Sequence, residues 1–334
     1  MGDRPYVSFV VVARNDNYGG DFLSRINVFI GSLITLCEKY SLSSELVIVE
    51  WNPPDDRPRL KDAISWPDIR MNSVRIRIIE VPNEAHERLP NPERMRLFEY
   101  IGKNVGVRCA RGEYIVTTNP DTIFNDDLIK FLALRKLSRK RFYRIDRHDV
   151  ATPIPVDVPV EVQLQYCKEN VIRIFGYFWS CYDRKISGRF WLYRKARSLA
   201  TYAKARVLHF TLPPAHMGAP GDFLLMHRDQ WNIIKGFPEL ETKGKSHCID
   251  GLGVLMAQFS GLKQVILKRP LRLYHQDHGR ADHGWPRSQA VKAAYEKLSK
   301  AHKLITFNIK WGLEGENLAE LDLQRLQSIR RNTS

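Results

Sequence analysis

The sequence predicts an α/β protein: a mainly parallel sheet flanked by helices and interrupted by a helical insertion. Three observations lead there. Over the first 130 residues short apolar runs alternate with segments of helical spacing, near residue 150 that rhythm breaks, and at residue 221 it returns. Strands joined by helical crossovers pair in parallel and present ligands at their carboxyl edge.

Val7-Ser8-Phe9-Val10-Val11-Val12 reads as a buried first strand. Phe22, Ile26, Phe29, Ile30, Leu33 and Leu36 then recur at the spacing of one helix face. Leu46-Val47-Ile48-Val49 is a second strand, stopped by Pro53-Pro54, and Val74 to Ile79 is a third. Asn91 is placed to cap the helix that carries Lys103 and Asn104, with Pro92 in its first turn. Tyr114 to Thr117 is the fourth strand. Pro153 to Pro159 is an extended segment, and residues 160–215 read as a helical insertion. Gly221 to Met226 reads as a strand, followed by a short helix around Trp231 and a turn at Gly236. Residues 248–260 suit a helix, 264–267 and 271–275 suit strands of the same sheet, and 287–303 suit a late helix.

The chain has 334 residues, 43% hydrophobic and 27% charged, as in a soluble globular protein. No apolar run approaches a membrane span, and Met1 to Tyr6 leads into the first strand without a signal-peptide core. The five cysteines are scattered and lack Cys-x-x-Cys spacing, so a reduced, cytoplasmic protein is expected. A formal charge of +15 fits nucleic acid, an anionic membrane surface or a phosphate-bearing ligand. Much of it lies in Arg135 to Arg147 and in Arg184 to Arg206, the latter interleaved with Phe190, Trp191, Tyr193 and Tyr202. Such a stretch stacks bases or sugars, lies on a membrane interface, or forms a solvated helix face.

Three constellations carry chemistry. In the first, Lys103-Asn104-Val105-Gly106 on a helix is followed by Gly112-Glu113-Tyr114-Ile115 entering a strand that ends at Asn119-Pro120-Asp121. Those last residues are turn formers, but a carboxylate at a strand's carboxyl end also points into the ligand crevice. In the second, Gly221-Asp222-Phe223 and Gly236-Phe237-Pro238-Glu239 precede Ile249-Asp250 at a helix start, where a carboxylate serves as a base or as a cap. The third is Tyr274-His275-Gln276-Asp277-His278-Gly279-Arg280.

Together these resemble glycosyltransferases of the GT-A fold, a Rossmann-like α/β fold, and in particular family-2-like members of bacteria and large viruses. The resemblance covers about residues 7–280. It departs from the family pattern at Asn119, where the first Asp of Asp-x-Asp is usual, and at Ile249, where Glu is usual. It implies a nucleoside-diphosphate sugar donor (UDP or GDP), a glycan or glycoprotein acceptor and Mn²⁺ or Mg²⁺ held by Asp121 and His275. Asp250 would be the base of an inverting transfer or, in a retaining one, a group that orients the acceptor. Arg14, Glu50, Lys103, Asn104 and Asn119 would line the donor site, with His278 and Arg280 on the phosphates. One domain would span 1–334: a nucleotide-binding half at 1–130, an insertion at 150–215, an acceptor and metal half at 216–285 and a helical tail at 286–334. Peripheral membrane contact remains open in this reading, and with no recognised nucleic-acid-binding motif, nucleic acid is not expected.

Overall fold

A computed structural model describes residues 4–67, 71–176, 215–240, 248–279 and 289–324, with the backbone of 182–183 and isolated positions between 192 and 203. The basic-aromatic stretch 184–206 and Arg280 therefore lie essentially outside the described residues.

The first half follows the alternation. Strand β1 (Val7–Ala13) leads to α1 (Phe22–Lys39), β2 (Ser44–Trp51), the short α2 (Leu60–Ala63), β3 (Val74–Val81) and α3 (Asn83–Glu87). Helix α4 (Glu99–Cys109) carries Lys103 and Asn104, and β4 (Tyr114–Thr117) follows. Strands β1, β2 and β3 pair in parallel, with β4 parallel on the other side of β1. Phe9 and Val11 pack with α1 on one face of this sheet, while Val10 and Val12 pack with α4 residues on the other. Covering both faces is why these strands read as continuous apolar runs.

Helix α4 does not begin at Asn91. That residue, at φ 55°, precedes a separate 3-10 turn at Pro92–Arg94 and makes no side-chain cap. Met95 and Phe98 are drawn into the core between the two, and this burial takes the chain out of helical geometry until Glu99.

After β4 the chain continues through β5 (Thr122–Phe124), α5 (Asp126–Ala133), β6 (Arg141–Ile145), β7 (Arg147–Val150), α6 (Val160–Glu169), β8 (Val171–Phe175) and β9 (Tyr182–Asp183). The segment after 160 is thus not purely helical: α6 turns directly into strands. It is followed by β10 (Leu224–His227), α7 (Arg228–Ile234), α8 (Ile249–Phe259), β11 (Lys263–Leu267), β12 (Leu273–Gln276), α9 (Gln289–Ala301) and β13 (Ala319–Asp322).

The late strands do not all join one sheet. The main sheet runs β11-β6-β10-β4-β1-β2-β3-β13, and a second runs β5-β12-β7-β8-β9. β10 is antiparallel to β4 and β6, so the start of β10 lies at the same edge as the end of β4. At that edge β4 passes through 118–121 into β5, and β6 passes through Asp146 into β7. The second sheet therefore grows from the carboxyl edge of the first.

Candidate active site

Asp121, the residue before β5, meets two histidines because of strand register. His275 in β12 pairs with Thr122, and the Gln276 amide donates to the Asp121 carbonyl at 2.9 Å. His275 Nε2 lies 3.6 Å from Asp121 Oδ1, and His278 Nε2 lies 3.0 Å from Asp121 Oδ2. One ligand atom from each of the three falls within 4.8 Å of the others. Burial raises the Asp121 carboxyl, but the imidazoles of His275 and His278 and the Arg25 guanidinium outweigh it and hold the group well below the usual carboxylate range.

The other imidazole nitrogens also lie close to oxygen atoms. His278 Nδ1 lies 2.9 Å from the Gly279 carbonyl, and His275 Nδ1 lies 3.2 Å from Asp149 Oδ1. Both Nε2 atoms therefore face Asp121. The sequence placed His278 on phosphates, but the structure puts it in the triad with Asp121 and His275. Gly19, at φ 70°, makes this approach feasible, since a Cβ there would lie 2.5 Å from His278 Nδ1. Tyr18 packs edge-on against the His278 ring. The Arg25 guanidinium donates to the carbonyls of Tyr18 and Gly20, holding that turn in place.

The triad suits a divalent cation. Asp121 Oδ1 is buried without a hydrogen-bond partner, and a carboxylate with two imidazoles is a donor set for a transition ion. Mg²⁺ prefers oxygen ligands and keeps its waters, so two nitrogens favour Mn²⁺ over Mg²⁺.

Asn119 is spent on protein groups. Its Oδ1 accepts from Lys103 Nζ at 2.7 Å and its Nδ2 donates to Asp222 Oδ1 at 2.5 Å. Lys103, fully buried, also donates to Glu99 Oε1 at 2.6 Å and to the Gly221 carbonyl at 2.8 Å. An ammonium has three donors, so none is left for a donor phosphate. Asn104 faces away from the crevice: it bonds the backbone of Phe237 in both directions and donates to Glu239. The basic-Asn pair thus braces Asn119 on one side and the Gly-Phe-Pro-Glu turn on the other.

Glu50 and Arg14 lie at the carboxyl ends of β2 and β1. Glu50 is buried and accepts the Leu60 amide at 2.8 Å, and burial lifts its carboxyl to about 7. Arg14 donates to the Asn52 carbonyl at 2.7 Å and pairs with Asp16 at 2.9 Å. Asp250, in the first turn of α8, accepts the Gly221 amide on Oδ2 and the Gly251 amide on Oδ1, each at 2.9 Å. Burial raises its carboxyl, and Glu99 adds to the rise. Gly221 thus links Asp250 to Lys103, and through it to Asn119.

Sequence reasoning missed Asp149, Arg147 and the place of His278 beside Asp121. It quoted Asp222 without giving it a role. Arg147 Nε lies 2.8 Å from Asp149 Oδ1, and its Nη1 donates to Asp222 Oδ2 at 2.7 Å. The only signal was an Arg-x-Asp repeat inside a run of positive charge.

The mainly parallel sheet flanked by helices has the architecture of a GT-A fold. Among solved structures, GalNAc-T7 with UDP, GalNAc and Mn²⁺ overlaps 90% of this chain and 48% of its own at 11% identity and a TM-score of 0.51. The chain thus spans about half the length of that protein. S. aureus TarS 1-349 in complex with UDP-GlcNAc overlaps 88% of this chain and 66% of its own at 13% identity and a TM-score of 0.45. No protein-family model and no curated protein sequence matches the chain.

Proposed function

We propose that this protein is a metal-dependent glycosyltransferase that moves a sugar from a nucleoside-diphosphate donor to a hydroxyl acceptor. The observation that carries the reading is the convergence of Asp121, His275 and His278 at the carboxyl edge of a GT-A sheet, where such a fold binds ligands. Those three residues would hold Mn²⁺, which offsets the charge developing on the leaving diphosphate. Arg14 and Glu50 border the nucleoside side of the crevice. Lys103, Asn119 and Asp222 fix its floor without touching the donor.

Asp250 is the base of an inverting transfer in this reading. Its two amide bonds aim the carboxylate, and its raised affinity for a proton brings it closer to the range in which a base takes one at neutral pH. The acceptor would be a glycan or a glycoprotein. None of the four cysteines described is in a disulfide, in keeping with a reducing cytoplasm. Among the described residues no helix is long and apolar enough to cross a membrane, and any membrane contact would be peripheral.

The test is titration of UDP and GDP with and without Mn²⁺, for wild type and Asp121→Ala, alongside a donor-hydrolysis screen over UDP, GDP and dTDP sugars. Tighter nucleotide binding with Mn²⁺ in wild type alone supports the reading. Equal affinity in every arm sinks the metal role. Steeply salt-dependent DNA binding without donor hydrolysis would favour a basic nucleic-acid-binding protein instead.

A further inference from the structure

The second sheet aligns a row of side chains that ends at the triad. Arg173 in β8 pairs with Asp149 in β7, and Asp149 pairs with His275 in β12. Directly opposed residues share a face, so guanidinium, carboxylate and imidazole stand side by side. Asp149 is fully buried, with Arg147 at 2.8 Å and Arg173 at 2.9 Å on its two oxygens, and His275 Nδ1 at 3.2 Å.

We propose that Asp149 is a positioning residue that holds His275 as its Nδ1–H tautomer, leaving the Nε2 lone pair for the cation beside Asp121. An ionised carboxylate only accepts, so the nitrogen facing it must carry the proton. The other nitrogen is then a ligand, and a partner of this kind also fixes the ring's orientation. Arg147 bridges Asp149 to Asp222, and Asp222 holds Asn119. A buried chain of polar contacts therefore runs from Asn119 through Asp222, Arg147 and Asp149 to His275. The proposal rests on the metal reading above for its consequence, but the tautomer itself does not.

Asp149→Asn is the decisive variant. The amide keeps one acceptor where the carboxylate had two, and Arg147 Nε and Arg173 Nη1, which only donate, compete with His275 Nδ1 for it. When Nδ1 loses that acceptor, the Asp121 carboxylate near Nε2 draws the proton there and blocks the ligand lone pair. Nitrogen NMR of the metal-free full-length protein, labelled at histidine and recorded at mildly alkaline pH, reads the tautomer. Electron paramagnetic resonance counting of free Mn²⁺ reads affinity. We expect Nδ1–H at His275 in wild type, Nε2–H in Asp149→Asn, and about 10- to 100-fold weaker Mn²⁺ binding in the variant. Asp277→Asn removes the same charge from the other carboxylate beside Arg173 while leaving Asp149 in place, and should change Mn²⁺ affinity little.

Nε2–H in the wild type overturns the proposal, as does Mn²⁺ binding by folded Asp149→Asn at wild-type strength. Wild type that binds no Mn²⁺ defeats the metal reading, yet its spectrum still decides the tautomer. The same wild-type spectrum decides the matter if Asp149→Asn does not fold.

Discussion

Asn119 is fixed by its neighbours at both ends. Its amide accepts from Lys103 while donating to Asp222, which an ionised carboxylate cannot do, and Asp222 is already held by Arg147. Restoring the familiar motif with Asn119→Asp therefore sets two carboxylates 2.5 Å apart in a buried place. It should destabilise the fold by about 2 kcal/mol or more and weaken Mn²⁺ binding, measured by urea unfolding and metal titration. Improved metal binding would mean that position 119 is a ligand. Glu50 makes a second prediction. Its carboxyl is raised from 4.5 to about 7, so between those values the folded chain holds a proton that the unfolded chain has released. The stability from this protonation is complete below pH 4.5 and is lost as pH rises to about 7. Glu50→Gln should match wild type below that window and exceed it above by on the order of 2–3 kcal/mol in urea unfolding of the ligand-free protein. For Asp250, both oxygens accept backbone amides, and Asn can satisfy only one. Asp250→Asn should lower turnover by about 10²- to 10⁴-fold with donor affinity intact, and lower stability by about 1 kcal/mol. Near-normal turnover would transfer Asp250 to an acceptor-orienting role in a retaining mechanism.

The turn between β1 and α1 shows how an element can matter without supplying a ligand. Gly19 and Gly20 both have positive φ, 70° and 75°, so alanine at either costs about 1 kcal/mol of backbone strain. Only at Gly19 does a Cβ collide with His278 Nδ1 and the Gly279 carbonyl, whereas at Gly20 it meets open space. Gly19→Ala should therefore weaken Mn²⁺ binding and lower the melting temperature more, while Gly20→Ala should leave Mn²⁺ affinity unchanged. Equal Mn²⁺ affinities would show that His278 is not a ligand. Strand β6 is the opposite case, an element whose sequence conceals it. Arg-Phe-Tyr-Arg-Ile reads as part of a basic run, yet four of its five residues are buried. Arg144 donates to the carbonyls of His216, Gly218 and Pro220, and so holds the loop that brings the Gly221 amide to Asp250.

At the scale of the whole molecule, the site exists because one strand runs against the others. β10 is antiparallel, so the turn just before it, which carries Asp222, arrives beside Asn119 in the connection after β4, where the second sheet begins. A cation at the triad would tie β12 to the connection between β4 and β5, and would bind only the folded chain. At about 100 times its dissociation constant, Mn²⁺ should add about 2.7 kcal/mol of stability to wild type and none to Asp121→Ala. Thermal unfolding with and without the ion checks this.

By itself the sequence determined the α/β alternation, the parallel β1 to β4 core and the placement of Asp121, His275 and Asp250 at element ends. Each depends on local periodicity and on apolar runs that have no other stable arrangement. Tertiary structure decided the rest. The division of the late strands into two sheets, the burial of Arg144 and Arg147, the inward use of Lys103 and Asn104, the recruitment of His278 and the row from Arg173 through Asp149 to His275 all depend on register between distant strands. A buried charge is stable only beside a partner, and a partner 24 residues away, as Arg173 is from Asp149, leaves no periodic trace in the chain.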